Sequence, residues 1–114
     1  MERDKLLEVV FFRTDTGAEP VRDWLRSLGR DEKMRIGGDL LAVQRTWPIG
    51  RPLVGHLGDG VWEVRSRLRD RIARVLFMID GYEMILPHGF IKKGQRTPKP
   101  DLDLARKRKK VYEA

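Results

Sequence analysis

The residues best suited to chemistry lie in one run, VWEVRSRLRDRIARVLFMIDGYEMILPHGFIKKGQRTP, at positions 61–98. Glu63, Arg65, Arg67, Arg74, Lys92 and Lys93 fall there at strand-like spacing, with His88, Arg96 and Lys99 nearby in the chain. Arginine offers a planar fork of donors that matches an anion, and lysine offers a mobile point charge. A period of two puts Arg74 among Ile72, Leu76 and Met78, and a charge among apolar neighbours needs a partner or a ligand. On the preceding segment Glu63, Arg65 and Arg67 share a face that reads as wet and basic, opposite Trp62, Val64, Ser66 and Leu68.

Three consecutive strands would position these side chains, with turns near Arg69 and Asp70 and at Asp80-Gly81. The third ends at Phe90, Ile91, Lys92 and Lys93, so its two lysines leave on opposite faces beside a loop over 94–99. Ahead of them, residues 6–13 read as a strand with two apolar faces, hence an interior one. Pro20 opens a helix whose stripe is Val21, Trp24, Leu25 and Leu28, with Gly29 as its C-cap. Asp31 caps a second helix with Ile36, Leu40, Val43 and Trp47 inward, which Pro48 stops. The pair Gly37-Gly38 inside it predicts close packing or a bend. Residues 49–60, with four glycines, read as a loop anchored by Leu53 and Leu57. A last helix over 101–112 turns Leu104, Ala105, Arg108, Val111 and Tyr112 inward. The order β-α-α-β-β-β-α describes a single α+β domain over 1–114, with helices packed on a mainly antiparallel sheet.

Composition narrows the chemistry. The chain has no cysteine, which removes disulfides, thiolate catalysis and cysteine zinc sites and suits a reducing cytoplasm. Its two histidines, His56 and His88, are far apart and its carboxylates scattered, so no metal site and no cofactor is expected. No run is long enough for a membrane span and the first ten residues are too charged for a secretory signal, so the expected location is cytoplasmic. Residues 1–60 hold 10 Lys/Arg and 10 Asp/Glu, whereas residues 61–114 hold 14 and 7, so the whole +7 excess is C-terminal. That distribution suits a polyanion such as nucleic acid, or an acidic protein partner, without separating the two.

The segments GAEPVRDWLRSL at 17–28, GVWEVR at 60–65, RVLF at 74–77 and HGFIKKGQRTP at 88–98, followed by 105–112, carry a resemblance to the RelE superfamily of toxins. Their order and spacing are similar to those of its phage-derived Gp49-like, HigB-type branch. The resemblance implies the toxin of a type II toxin–antitoxin pair: an endoribonuclease (mRNA interferase) that cleaves mRNA on the ribosome and is silenced by a helix-turn-helix, HigA-like antitoxin. Two positions depart from the pattern. Pro87 stands inside the third strand, where a bulge or an edge must accommodate it, and Gly94 stands where Thr or Ser is usual.

Metal-independent RNA cleavage uses the adjacent 2′-OH as nucleophile, and the protein must help remove its proton, stabilise charge on phosphorus and assist the leaving oxygen. On the implied reading Arg74 stabilises the transition state, Lys92 and Lys93 serve as acid or base, and Glu63 orients an arginine or takes the proton. Arg65, Arg67, Arg96, Lys99 and His88 then contact RNA. Structural alternatives stand beside these roles: Arg74 as an ion-pair partner of Glu63, Arg65 and Arg67 as solvated strand residues paired with Glu63, the lysines as a strand end, His88 as a hydrogen-bonded structural residue. Trp62 is either core or a platform for a base. Two other functions fit the same sequence, a non-catalytic nucleic-acid-binding or phage host-modulating protein of this fold, and a module for an acidic protein partner.

Overall fold

The structure, a computed structural model, describes residues 6–92, 94 and 96–114. Its centre is the hairpin of β4 (Ile72–Asp80) and β5 (Glu83–Lys92), whose apolar residues point both ways because both faces are covered. Ala73 to Met78 are all buried. The turn is one residue later than the sequence implies: Asp80 pairs with Glu83, and Gly81 takes φ 61°, a left-handed conformation that glycine adopts without a Cβ clash. β3 (Val61–Arg67) lies antiparallel to β4, with Arg65 opposite Arg74.

Two further strands complete the order β1-β5-β4-β3-β2. β2 (Val54–Gly58) lies within the segment read as a loop. Its five residues VGHLG carry too little periodicity to reveal a strand, yet they pair antiparallel with β3. β1 (Glu8–Phe11) runs parallel to β5 at an edge, which corrects the interior position expected of it. It is apolar on both sides because Val9 and Phe11 join one layer and Val10 and Phe12 the other. The α+β class and mainly antiparallel sheet are as the sequence implies, with β2 added to the succession.

One face of the sheet meets α1 (Pro20–Arg26) and α2 (Arg30–Thr46), whose Val21, Ile36, Leu40 and Val43 pack on Val64, Val75, Phe77 and Leu86. Gly29 ends up as the N-cap of α2 rather than the C-cap of α1, and Asp31 lies in the first turn. Trp47 meets Trp62 edge-on at 5.1 Å, so Trp62 belongs to this core. Trp24 lies so close to Gly89 that a methyl group there would come within 2.5 Å of its ring.

The other face carries α3 (Lys99–Glu113), which sets buried Ala105 against Leu76 and Val61. Tyr112 packs by Met78 and Ile85, and its phenol meets Asp80 and Glu83 at 3.1 Å each; desolvation and these carboxylates raise its pKa to about 12. Val111, expected inward, is exposed. Pro87 sits in a bulge. Leu76 pairs with His88 and Met78 with Ile85, leaving Leu86 and Pro87 opposite Phe77 alone, so no ladder bond from the proline is required. The Pro87 carbonyl accepts a 2.8 Å bond from Arg108, and burial lowers the pKa of that guanidinium.

Gly37 and Gly38 correct another expectation. They are exposed within an unbroken α2, and a methyl group at either would meet nothing within 4 Å. Gly37→Ala and Gly38→Ala should therefore each stabilise the protein by about 1 kcal/mol through helix propensity alone. A higher denaturation midpoint with unchanged slope checks this, and a lower one would mean that the positions are packed.

Candidate active site

Strand register arranges the face beneath α3 in rows. Glu63, Leu76 and His88 form the first, Arg65, Arg74 and Phe90 the second, and Arg67, Ile72 and Lys92 the third. α3 covers the first row, where Ala105 packs near Leu76 and Asp101 bonds His88. The third row borders an open cleft of about 230 Å³, lined by Pro52, Arg65, Arg67, Ile72, Arg74 and Lys92. A step of four residues along each strand thus leads from the covered row to an anion-attracting hollow.

The second row is organised by Glu63, and here the expectation of a wet face fails. Glu63 is 0% exposed. Its Oε2 accepts a 2.9 Å bond from Arg65 Nε, and its Oε1 accepts bonds from Arg74 Nη1 at 3.1 Å and Thr97 Oγ1 at 2.7 Å. Arg74 Nη1 also donates to Thr97 Oγ1 at 2.7 Å. A buried carboxylate is tolerated when charged and hydrogen-bonding partners replace its hydration, and this one has two guanidiniums and a hydroxyl. Glycine opposite Glu63 makes the arrangement possible: a side chain at Gly55 would collide with the Arg65 guanidinium.

Of the residues predicted for the site, Arg65, Arg67, Arg74 and Lys92 line the cleft. Arg74 is only 3% exposed and forms its floor, whereas Arg67 is exposed. Glu63 lies behind the two arginines and holds them. Lys93 lies outside the described residues. His88 is not brought to the cleft: its Nε2 is 2.6 Å from Asp101 Oδ1 and its ring stacks on Phe90, so it ties the start of α3 to β5. Lys99 is exposed and paired with Asp103 at 2.8 Å, and exposed Arg96 is not among the lining residues. Thr97, Gly55 and Pro52 were missed. Only the position of Thr97 within GQRTP, shortly after the lysines, hinted at the first.

The hairpin tip beside the cleft is braced by a two-pronged pair from Arg71 to Glu32 at 2.8 and 2.9 Å, which holds the Glu32 carboxyl below its usual pKa. A larger hollow of about 530 Å³ lies at the other end of β4, but Asp80 and Glu113 line it and, among the described residues, no cation does. Among the described residues no three His, Cys, Asp or Glu side chains gather as a metal-binding group. Nor is any helix long and apolar enough to cross a membrane among those residues.

A family model described as phage derived protein Gp49-like (DUF891) matches residues 23–110, more than three quarters of the chain. The chain belongs to the Gp49-like family. No curated protein matches it. The Gp49-like family lies within the RelE/toxin superfamily, a toxin–antitoxin setting that suggests an antitoxin partner. The matched range takes in the whole cleft and Glu63, and leaves out β1.

The Glu63 network makes Arg74 a structural residue as well as a lining one. Arg74→Ala leaves a buried carboxylate short of a charge partner, and the loss should be about 3 to 5 kcal/mol. Urea denaturation measures it. A variant as stable as the parent would show that Arg65 and Thr97 suffice to hold Glu63.

Proposed function

We propose that this Gp49-like protein is a HigB-type toxin, an mRNA interferase that cleaves mRNA on the ribosome without a metal ion and is neutralised by a helix-turn-helix antitoxin. The observation that carries the reading is the buried Glu63 carboxylate, which fixes two arginines beneath a cleft whose rim carries Arg67 and Lys92. Fixed cations aimed at one hollow match the demand of phosphoryl transfer, in which negative charge grows on the phosphate oxygens.

In the proposed reaction the ribose 2′-oxygen bonds to phosphorus as its proton passes to a neutral amine, the part proposed for Lys93. The bond from phosphorus to the 5′-oxygen breaks, and that oxygen takes up a proton. The products are a 2′,3′-cyclic phosphate and a 5′-hydroxyl. Arg65 and Arg74 bind the phosphate oxygens, and their guanidiniums lose little freedom in doing so because Glu63 already holds them. Glu63 itself, buried and bonded at both oxygens, orients rather than removes a proton. Lys92 is the amine lining the cleft among the described residues and is assigned proton transfer to the leaving oxygen, with Lys93 its proposed counterpart from the sequence. Arg67 contacts a neighbouring phosphate.

A second reading has one observation in its favour. With Arg74 only 3% exposed, the buried pair serves stability alone and the cleft binds RNA without cleaving it. Single-turnover assays on naked RNA and on programmed ribosomes decide between the two. Cleavage that persists in EDTA and leaves 2′,3′-cyclic ends supports the nuclease; binding with intact RNA supports the other reading.

The binding role of Arg67 has its own test. For a single strand each neutralised phosphate contributes about 0.7 to the slope of log affinity against log salt, so Arg67→Ala should lower that slope by about this amount. Unchanged affinity and slope would return Arg67 to a solvated strand end.

A further inference from the structure

We infer that Thr97 is a positioning residue of the cleft: its hydroxyl fixes the Arg74 guanidinium and joins it to the start of α3. The inference rests on reading the cleft as an RNA-cleaving site.

Hydrogen-bond direction gives the argument its force. Arg74 Nη1 has only donors, so at 2.7 Å the Thr97 oxygen must accept from it. The hydroxyl proton is then committed to Glu63 Oε1, also 2.7 Å away. Only a group that accepts and donates at once can stand between a guanidinium and a carboxylate in this way. Nη1 thus donates to two acceptors that are themselves joined, Thr97 Oγ1 at 2.7 Å and Glu63 Oε1 at 3.1 Å, so that end of the guanidinium closes a three-membered network with them. With the hydroxyl removed, the ion pair with Glu63 remains, but Arg74 loses an acceptor and Glu63 a donor, so the placement of the guanidinium changes.

Chain context sets where the hydroxyl can be. Thr97 follows exposed Arg96 and precedes Pro98, the N-cap of α3, whose carbonyl accepts from Leu102 N–H at 3.1 Å. Asp101, in the first turn, is bound to His88 on β5. The start of α3 is therefore held at two points, one on the covered row of the sheet and one on the arginine row. Through the second, the end of the connection from β5 to α3 and the cleft floor move as one unit. A valine has the same shape as threonine but offers neither bond, and a serine keeps both, so the pair of variants isolates the hydroxyl.

Thr97→Val and Thr97→Ser separate this role from simple stabilisation. In single-turnover cleavage at saturating RNA, Thr97→Val should slow the reaction by about tenfold or more, with affinity for a non-cleavable 2′-deoxy analogue unchanged to about twofold. Thr97→Ser should recover most of the rate. Nitrogen NMR of the arginine guanidiniums in the RNA-free protein provides a readout that needs no activity: the Arg74 Nη signals of Thr97→Ser should match those of the parent, and those of Thr97→Val should be displaced. An Arg74 signal that Thr97→Val leaves unaltered overturns the inference, as does a parent rate in a folded Thr97→Val protein. A parent protein that does not cleave RNA refutes the nuclease reading instead, and the guanidinium signal then decides the positioning role by itself.

Discussion

The arrangement of the site depends on a carboxylate buried inside a sheet. Removing an ion such as Glu63 from water costs several kcal/mol, which only close charge partners with good geometry offset. The surroundings are shaped by that demand. Arg65 reaches back along its own strand, Arg74 reaches across from the neighbouring one, and Thr97 returns from beyond β5 to supply a hydroxyl. Gly55 leaves space for the Arg65 guanidinium on the one strand that could have filled it. The result is a net positive cluster whose members are fixed before any ligand arrives.

The rest of the fold decides which part of that cluster meets solvent. α3 lies over the row of Glu63, Leu76 and His88 and stops short of the row of Arg67, Ile72 and Lys92. Its position is set by the Ala105 contacts, by Asp101 on His88 and by Arg108 on the carbonyl of the bulged Pro87. The proline departs from the family pattern in sequence and yet is absorbed, because the bulge needs no donor there and its carbonyl becomes an anchor for the helix. On the opposite face, α1 and α2 give β4 the second cover that lets a strand with an arginine in it stay central.

Much of this was legible in the sequence, and the exceptions have physical causes. Period-two alternation put Arg65 and Arg67 on one face of β3 and singled out Arg74 among apolar neighbours on β4; that all three share one face of the sheet follows only from the pairing of Arg65 with Arg74. The same rule misjudged Glu63, since a face that is wet at Arg67 is covered by α3 four residues earlier, and coverage is tertiary information. β2 was missed because five residues with two glycines show no pattern until they pair, and β1 was placed inside because two apolar faces do not distinguish a central strand from a covered edge. Gly37 and Gly38 misled in the other direction: glycines in a helix resemble a packing contact, and here they face solvent. Thr97 was beyond sequence reasoning, because its partners are 23 and 34 residues away and its role depends on hydroxyl direction.

The central claim is that Glu63 organises an RNA-cleaving cleft by holding its arginines and takes no proton itself. The pH dependence of single-turnover cleavage by Glu63→Gln tests it most directly, because the amide keeps the shape while losing the charge and turning one of the two acceptor oxygens into a donor. The account predicts a slower reaction at every pH with a profile of unchanged shape. Loss of the rising limb on the acid side would contradict it and make Glu63 the general base.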